Sequence, residues 1–287
     1  MFNQLCLPLD KTDTNGETVV NSKELSKLAH SLRGEILRAL APSGGHYGGS
    51  LSVLDILICL YHQILRFRTS EPSWHYRDRF ILSKGHAAVA LYAVLRQIGF
   101  FSCELTSYGK FGAGLEGHPS KGLPGVDFPT GSLGQGLSVG LGMALAMRQT
   151  ESRVWIVLGD GECQEGQVWE AAALGARYQL ERLHAIVDLN GYQEYGWPDN
   201  ASPLPNATAK WQAFGWEVFE ESGHDFEDLF TSMTMMTKVT GRPSVLLAKT
   251  VKGWGVREIA SNPHRFHCGS VTNAEHESLL RQLDEND

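Results

Sequence analysis

Val154-Trp155-Ile156-Val157-Leu158-Gly159-Asp160-Gly161-Glu162 is an apolar run that stops abruptly at Gly-Asp-Gly. Continuous hydrophobicity without alternation is the pattern of a strand covered on both faces. A second such run, Ala185-Ile186-Val187-Asp188-Leu189-Asn190-Gly191, follows with 28 residues between Gly161 and Asn190. Residues 165–178 between them have helical spacing, so the unit reads strand–helix–strand. Working outward, strands are predicted at Arg79–Leu82, Arg153–Leu158, His184–Asp188, Trp216–Phe219 and Ser244–Lys249. Helices are predicted at 165–178, 207–214 and Asp225–Lys238, with a loop at 191–206. Apolar strands alternating with helices define an α/β fold: a doubly wound, mostly parallel sheet with helices on both faces.

The first half is more helical. A helix is predicted after Asn21, with Glu24 as a capping-box partner and Leu25, Leu28, Ala29, Leu32, Ile36 and Leu40 on one stripe, stopping near Pro42. Ser52 and Asp55 are read as the box that opens the next helix, which runs on through Leu65. Ser83-Lys84-Gly85-His86 leads into an alanine-rich helix ending near Gly99. Residues 109–136 form a long loop rich in glycine and proline, a length that usually marks function or disorder. Gln135–Met147 reads as a buried helix. Residues 1–21 read as a polar N-terminal arm, and 22–287 as one domain without internal repeat.

With 42% hydrophobic and 20% charged residues, the 287-residue chain has ample apolar surface to fold, which excludes disorder as its main state. The net charge of −7, from 25 basic and 32 acidic residues, disfavours nucleic acid as a partner. Cys6, Cys59, Cys103, Cys163 and Cys268 are odd in number, scattered and without a CxxC pair, which argues against a disulfide framework and fits the cytoplasm. The N-terminal stretch lacks the form of a signal peptide, and no apolar run is long enough to span a bilayer.

In a doubly wound sheet, ligands bind outside the carboxyl ends of the strands. Asp160 and Asn190 lie in two such loops. Two oxygen ligands from neighbouring strand ends suit Mg²⁺, which keeps waters and is often completed by phosphates. Taken singly, either loop also reads as a turn with a capping Asp or Asn. Gly131-x-x-Gly134-x-Gly136 invites a dinucleotide-binding reading, but the strand–turn–helix order and a following acidic residue are missing. His264-x-x-His267 has half the spacing of a zinc site, without a second ligand pair.

The Gly-Asp-Gly to Asn spacing is that of the thiamine diphosphate fingerprint, and further motifs follow the order seen in transketolases. They are Gly45-His46-Tyr47-Gly48-Gly49-Ser50, Ser83-Lys84-Gly85-His86, Glu116-Gly117-His118-Pro119, Thr130 to Gly136, Gly159-Asp160-Gly161-Glu162 and Thr250-Val251-Lys252-Gly253-Trp254-Gly255. Over roughly residues 22–285 the chain resembles transketolases, most closely the N-terminal subunit of split transketolases. The resemblance implies a transferase that moves a two-carbon ketol unit from a ketose, such as a ketose phosphate, to an aldose, using thiamine diphosphate and Mg²⁺ or Ca²⁺. It implies metal ligation by Asp160, Asn190 and the main-chain oxygen of Tyr192. His86, Gly131, Ser132, Leu133, Gly161, Glu162 and Asn190 are implied to lie against the cofactor. His46, His118 and either His264 or His267 are implied to face the substrate, with His-then-Gly favouring His267. Imidazoles suit the proton transfers that this reaction requires near neutral pH.

Glu165 is implied to lie at a dimer interface, although a carboxylate favouring the helix dipole is an equal reading. Lys252 reads alternatively as a solvated loop cation. His30, His62, His75, His184, His224 and His276 match no motif and read as structural or surface groups. The pyrimidine-binding and C-terminal domains of the family, with the glutamate that activates the cofactor, are absent from this chain. The resemblance therefore implies a separate C-terminal subunit, joined with this one in an α₂β₂ assembly. Extra aromatics, including Tyr192, Tyr195 and Trp197, open the substrate to question. The alternatives are a related transferase using a 2-oxo acid donor in specialised metabolism, or a non-catalytic cofactor-binding scaffold.

Overall fold

The structure is a computed structural model that describes residues 21–194 and 204–285. The N-terminal arm to residue 20 and the aromatics Tyr195 and Trp197 lie outside the described residues. Five strands, β1 (Arg79–Leu82), β2 (Val154–Gly159), β3 (Leu183–Leu189), β4 (Glu217–Ser222) and β5 (Ser244–Lys249), form one sheet in the order β1-β2-β3-β5-β4. Every pairing is parallel. All five strands therefore end at one edge, and Gly159 pairs with Asp188 in the last register of β2 and β3. Val154–Gly159 is buried throughout, as its unbroken apolar run requires.

Two helical layers cover the sheet. One face carries α1 (Ser22–Ser43), α2 (Tyr47–Cys59), α3 (Ala88–Gln97), α7 (Phe226–Met236), the short α8 (Arg257–Ser261) and α9 (Asn273–Asp284). The other carries α4 (Gln135–Ala146), α5 (Gly166–Arg177) and α6 (Ala207–Ala213). Helix α1 starts on the expected cap, with the Asn21 side chain accepting from the Lys23 amide, and carries Pro42 in its last turn. The Asp225 carboxylate caps α7 in the same way, and Thr272 and Glu275 form a full capping box on α9.

Two expectations need correction. Helix α2 opens at Tyr47, not at a Ser52 box, and continues through a π-helical turn at Leu60–Ile64. Glycine at 48 and 49 suits this first turn because nothing larger fits. A Cβ on Gly48 would fall 2.8 Å from Lys252 Cγ, and one on Gly49 3.1 Å from His86 Nε2. Ser52 and Asp55 are turned to tertiary partners instead. Ser52 Oγ donates to Asp188 Oδ2 at 2.6 Å, and Asp55 pairs with Arg33 at 2.6 Å. The second correction concerns α4, which buries only a stripe of Gly136, Leu137, Gly140, Leu141 and Ala144. Its opposite face, with α5, leaves Leu145, Leu174 and Tyr178 exposed.

The 109–136 loop is anchored. Asp127 forms an ion pair with Arg77 and accepts from the Phe80 amide at 2.8 Å, while Thr130 Oγ1 donates to Leu82 O at 2.7 Å. Leu115 is buried in the core. The segment thus returns across the end of β1 and delivers His118 and Gly131 to the same edge of the sheet as Asp160. Helix α4 follows this loop and not a strand, so the Gly131–Gly136 glycines do not open a dinucleotide unit.

Candidate active site

Four histidines from four separate segments converge above the carboxyl ends of the strands. The His46 ring, at the N-terminus of α2, lies 5.0 Å from His86, 6.5 Å from His118 and 5.7 Å from His267. His86 and His267 stack at 6.2 Å. This settles which C-terminal histidine joins the group: His267 does, whereas His264 is exposed one turn earlier. Burial first, and then the neighbouring positive groups, depress the pKa of His46 to about 4 and of His267 to about 3. His86 is driven well below its ordinary value for the same reason. These three are therefore neutral near pH 7, each with one nitrogen to donate and one to accept.

Lys252 is not a solvated cation. It is 6% exposed, and its Nζ sits 2.7 Å from His267 Nδ1 and 4.5 Å from the centre of the Tyr192 ring. Burial and the nearby Lys84 charge lower its pKa to about 8. As an ammonium it donates to Nδ1, which leaves the His267 proton on Nε2. The loop bearing Lys252 is tied down from behind. His224 Nδ1 lies 2.8 Å from Asp55 Oδ2, its Nε2 accepts from the Val251 amide at 2.8 Å, and its ring stacks on Trp254 at 4.3 Å. Arg33 completes the brace by pairing with Asp55 and donating to Trp254 O at 3.2 Å.

Asp160 and Asn190 stand side by side just beyond β2 and β3. Asp160 Oδ1 accepts from the Gly161 amide at 2.8 Å and Oδ2 from the Gly191 amide at 2.7 Å. Burial, followed by the charge of Asp188, raises the Asp160 pKa to about 6 despite these bonds. Asn190 Oδ1 accepts from the Tyr192 amide at 3.1 Å, and its Nδ2 lies 3.4 Å from Asp188. Asp188 is clamped: Lys84 and Thr250 bond it directly, and Ser52 donates at 2.6 Å. Burial alone would raise its pKa, but the Lys84 charge and these hydrogen bonds outweigh that and hold it below the usual value.

Glu162, expected against the cofactor, faces inward as a strut. Its carboxylate accepts from the Gly134 amide at 2.7 Å, the Gly159 amide at 3.0 Å and the Ser83 hydroxyl. It thereby fixes the loop that displays Gly131, Ser132 and Leu133, which are exposed. Gly136 permits that contact, because a Cβ there would collide with Ser83. Glu165 stands at the N-cap of α5, where a carboxylate favours the helix dipole, and is exposed without a side-chain capping bond.

The thiamine diphosphate-binding domain of transketolase matches residues 35–286. The chain belongs to this family. It is 39% identical to one subunit of the apulose-4-phosphate transketolase of Phocaeicola vulgatus, over 84% of this chain and 86% of that protein. It is 38% identical to the 6-deoxy-6-sulfo-D-fructose transketolase subunit SqwG of a Clostridium species, over 81% and 86%. The transketolase of Campylobacter jejuni superposes with a TM-score of 0.84 at 28% identity, covering 93% of this chain and 43% of that one. The chain thus spans under half the length of such solved transketolases and most of the length of these two subunits of split enzymes. Its sequence and architecture are those of the N-terminal subunit of a transketolase-type transferase, and they favour that reading over the oxo-acid and scaffold alternatives.

Several residues that build the site were not assigned from the sequence. Lys84, Asp188, Ser52, Thr250 and His224 act through contacts spanning 27 to 169 positions, which local spacing does not display. The one available signal was a lysine and an aspartate inside otherwise apolar or glycine-rich motifs.

Proposed function

We propose that this chain supplies the diphosphate- and metal-holding half of a transketolase site, and that a second polypeptide supplies the pyrimidine half. The observation that carries the reading is the convergence of His46, His86, His118 and His267 beside the Asp160–Asn190 pair. The donor set fits a hard dication, since it offers a carboxylate, an amide oxygen and a nearby main-chain carbonyl at Tyr192. Among the described residues Asp160 is a buried carboxylate without a cation in contact, and Mg²⁺ or Ca²⁺ would relieve it. Asp160, Asn190 and Tyr192 would hold the ion, with His86 and the Gly161 amide toward the diphosphate and Gly131–Leu133 toward the ring. Thiamine diphosphate, when bound, supplies the carbon nucleophile that lets a ketose carbon–carbon bond break.

The chain's own residues then orient hydroxyls and move protons. His46 and His118 are positioned to take the proton from a sugar hydroxyl as that bond breaks and to return one to the acceptor aldehyde, with the His267 Nε2–H as a donor to a sugar oxygen. The neutrality of His46 leaves it a basic nitrogen at pH 7, whereas the His267 Nδ1 lone pair is held by Lys252 and the ring offers its Nε2–H. Lys252 sets the His267 tautomer, and the Arg33–Asp55–His224 brace holds Lys252 in place. Glu162 acts as a positioning residue. The exposed apolar residues Leu133, Leu145, Leu174 and Tyr178, with Glu165 at the N-cap of α5, support a covered interface in an α₂β₂ assembly. We place residues 22–287 in one domain, and assign the chain to the cytoplasm from its free cysteines. Among the described residues no helix is long and apolar enough to cross a membrane.

Purification with the chain encoded beside it, followed by assay of ketol transfer between a ketose phosphate and an aldose, tests this reading. The His118→Ala variant is expected to lose about 10²–10⁴ in turnover while retaining cofactor. Unchanged turnover, or equal loss of cofactor binding, would remove His118 from the substrate side.

A further inference from the structure

His224 lies in the turn between β4 and α7, behind the loop that carries Lys252. Its side chain is 8% exposed, and its two ring nitrogens face partners of opposite kind. Nε2 lies 2.8 Å from the Val251 amide, which can only donate. Nδ1 lies 2.8 Å from Asp55 Oδ2, a carboxylate oxygen that accepts. The two contacts fix one tautomer, with the proton on Nδ1 and the lone pair on Nε2. Stacking on Trp254, with centroids 4.3 Å apart and 12° between the planes, holds the ring in that orientation.

The polar groups around the ring are already engaged. Asp55 on α2 faces Nδ1, and Arg33 on α1 neutralises it by donating to both carboxylate oxygens at 2.7 and 2.6 Å. The turn itself brings Ser222, whose Oγ accepts from the His224 amide at 3.3 Å. It also brings Asp225, whose carboxylate accepts from the α7 amides of Glu227 and Asp228. The 250–255 loop brings the Trp254 ring and Lys252, whose ammonium is held at His267.

We propose that His224 is a positioning residue and a proton-operated latch: its neutral form holds the Val251 amide and so seats Lys252 against His267, and a second proton, on Nε2, releases them. The assignment rests on the transketolase reading above and goes beyond the brace by naming what opens it. A proton on Nε2 leaves two N–H groups facing each other across 2.8 Å. Asp55 stays paired with Arg33, so the Val251 amide turns away. The next residue is Lys252, whose Nζ lies 2.7 Å from His267 Nδ1. Without that donor, His267 no longer keeps its proton on Nε2, where a sugar oxygen would take it. Ketol transfer thus weakens on the acid side through a residue that touches neither cofactor nor sugar.

Exchange of the Val251 amide in the full chain, followed by NMR, tests the latch without partner or substrate. Comparing variants at equal pH cancels the intrinsic pH dependence of exchange. His224→Gln puts a carboxamide oxygen near the Nε2 position and does not titrate, whereas His224→Phe keeps a ring and offers no acceptor. At pH 7.5 Val251 is expected to exchange equally slowly in the parent and in His224→Gln, and about tenfold faster in His224→Phe, the worth of one hydrogen bond. At pH 5 the parent is expected to join His224→Phe while His224→Gln stays protected. The pH at which the parent loses protection should coincide with protonation of the His224 ring in ¹H–¹⁵N spectra. The same spectra should show His267 as the Nε2–H tautomer in the parent at pH 7.5 and as a mixture in His224→Phe. In the complex with the partner subunit, the ratio of turnover at pH 5.5 to turnover at pH 7.5 should be about fivefold larger in His224→Gln than in the parent. A parent still protected at pH 5, a His224→Phe that keeps Val251 protected, separate midpoints, an unaltered His267 tautomer or equal turnover ratios would each overturn the latch. Should His224→Gln lose protection at pH 7.5, the parent's change with pH, measured against His224→Phe, still decides. Metal-dependent thiamine diphosphate binding is measured separately. If it fails while Val251 responds as expected, the transketolase reading falls; if it holds and Val251 does not respond, only the latch falls.

Discussion

Two aspartates one strand apart have opposite surroundings. Asp188, at the end of β3, is bonded by Lys84, Ser52 and Thr250 and is a saturated ion pair at the centre of the molecule. Asp160, just past β2, is also buried, yet among the described residues its hydrogen-bond partners are two backbone amides. The fold holds the first carboxylate firmly ionised and pushes the second up to about 6. The difference teaches that burial does not assign a role. A buried carboxylate with its own cation is part of the frame, whereas one without is free to accept a cation from outside.

The largest effect is expected where the pair is complete. Lys84→Met leaves Asp188 charged and uncompensated, and should lower unfolding free energy in denaturant by about 3–5 kcal/mol. Adding Asp188→Asn should recover part of that loss. If Lys84→Met alone melts like the parent chain, Asp188 is not clamped as described. Asp160→Asn should behave differently: it removes a charge held without a contacting cation but can keep only one of the two accepted amide bonds, so the metal-free chain should lose no more than about 1 kcal/mol at pH 8, far less than Lys84→Met. Strong destabilisation would make Asp160 a frame residue like Asp188.

A smaller effect is the acid limb of stability. His184 is fully buried between Trp155 and Ser244, with its Nδ1 2.8 Å from Ser244 Oγ, and burial lowers its pKa from 6.5 to about 3. The unfolded chain then binds a proton that the folded chain does not, so this contribution to stability is lost as pH falls below about 6.5 toward 3. The raised pKa of Asp160 works in the reverse sense, favouring the folded state as pH falls through about 6. Denaturant midpoints measured from pH 8 to pH 4.5 should fall with pH in the parent, and fall more steeply in Asp160→Asn, which lacks the opposing term. A midpoint that rises as pH falls would contradict the burial of a neutral His184.

The parallel sheet was legible because its central strands β2, β3 and β5 are apolar on both faces, whereas the edge strand β4 carries Glu217, Glu220 and Glu221 and was read only over Trp216–Phe219. The Asp160–Asn190 pair was legible from its spacing across one strand–helix–strand unit, and the histidines from their glycine-rich settings. The start of α2 was not, because the pattern Ser52-x-x-Asp55 satisfies a cap rule locally while both side chains have stronger partners far along the chain. Lys252 looks like a surface cation in its own loop, since only folding brings the His267 loop over it. His224 matched no motif for the same reason, as its partner Asp55 lies 169 positions away.

Calorimetric titration of thiamine diphosphate into this chain with its neighbour-encoded partner, with and without Mg²⁺, tests the central claim most directly when Asp160→Asn is run beside the parent. Mg²⁺-dependent binding in the parent, weakened about 100-fold in the variant, is the predicted result. Binding that ignores both Mg²⁺ and the Asp160→Asn change, or no binding at all, would contradict the account.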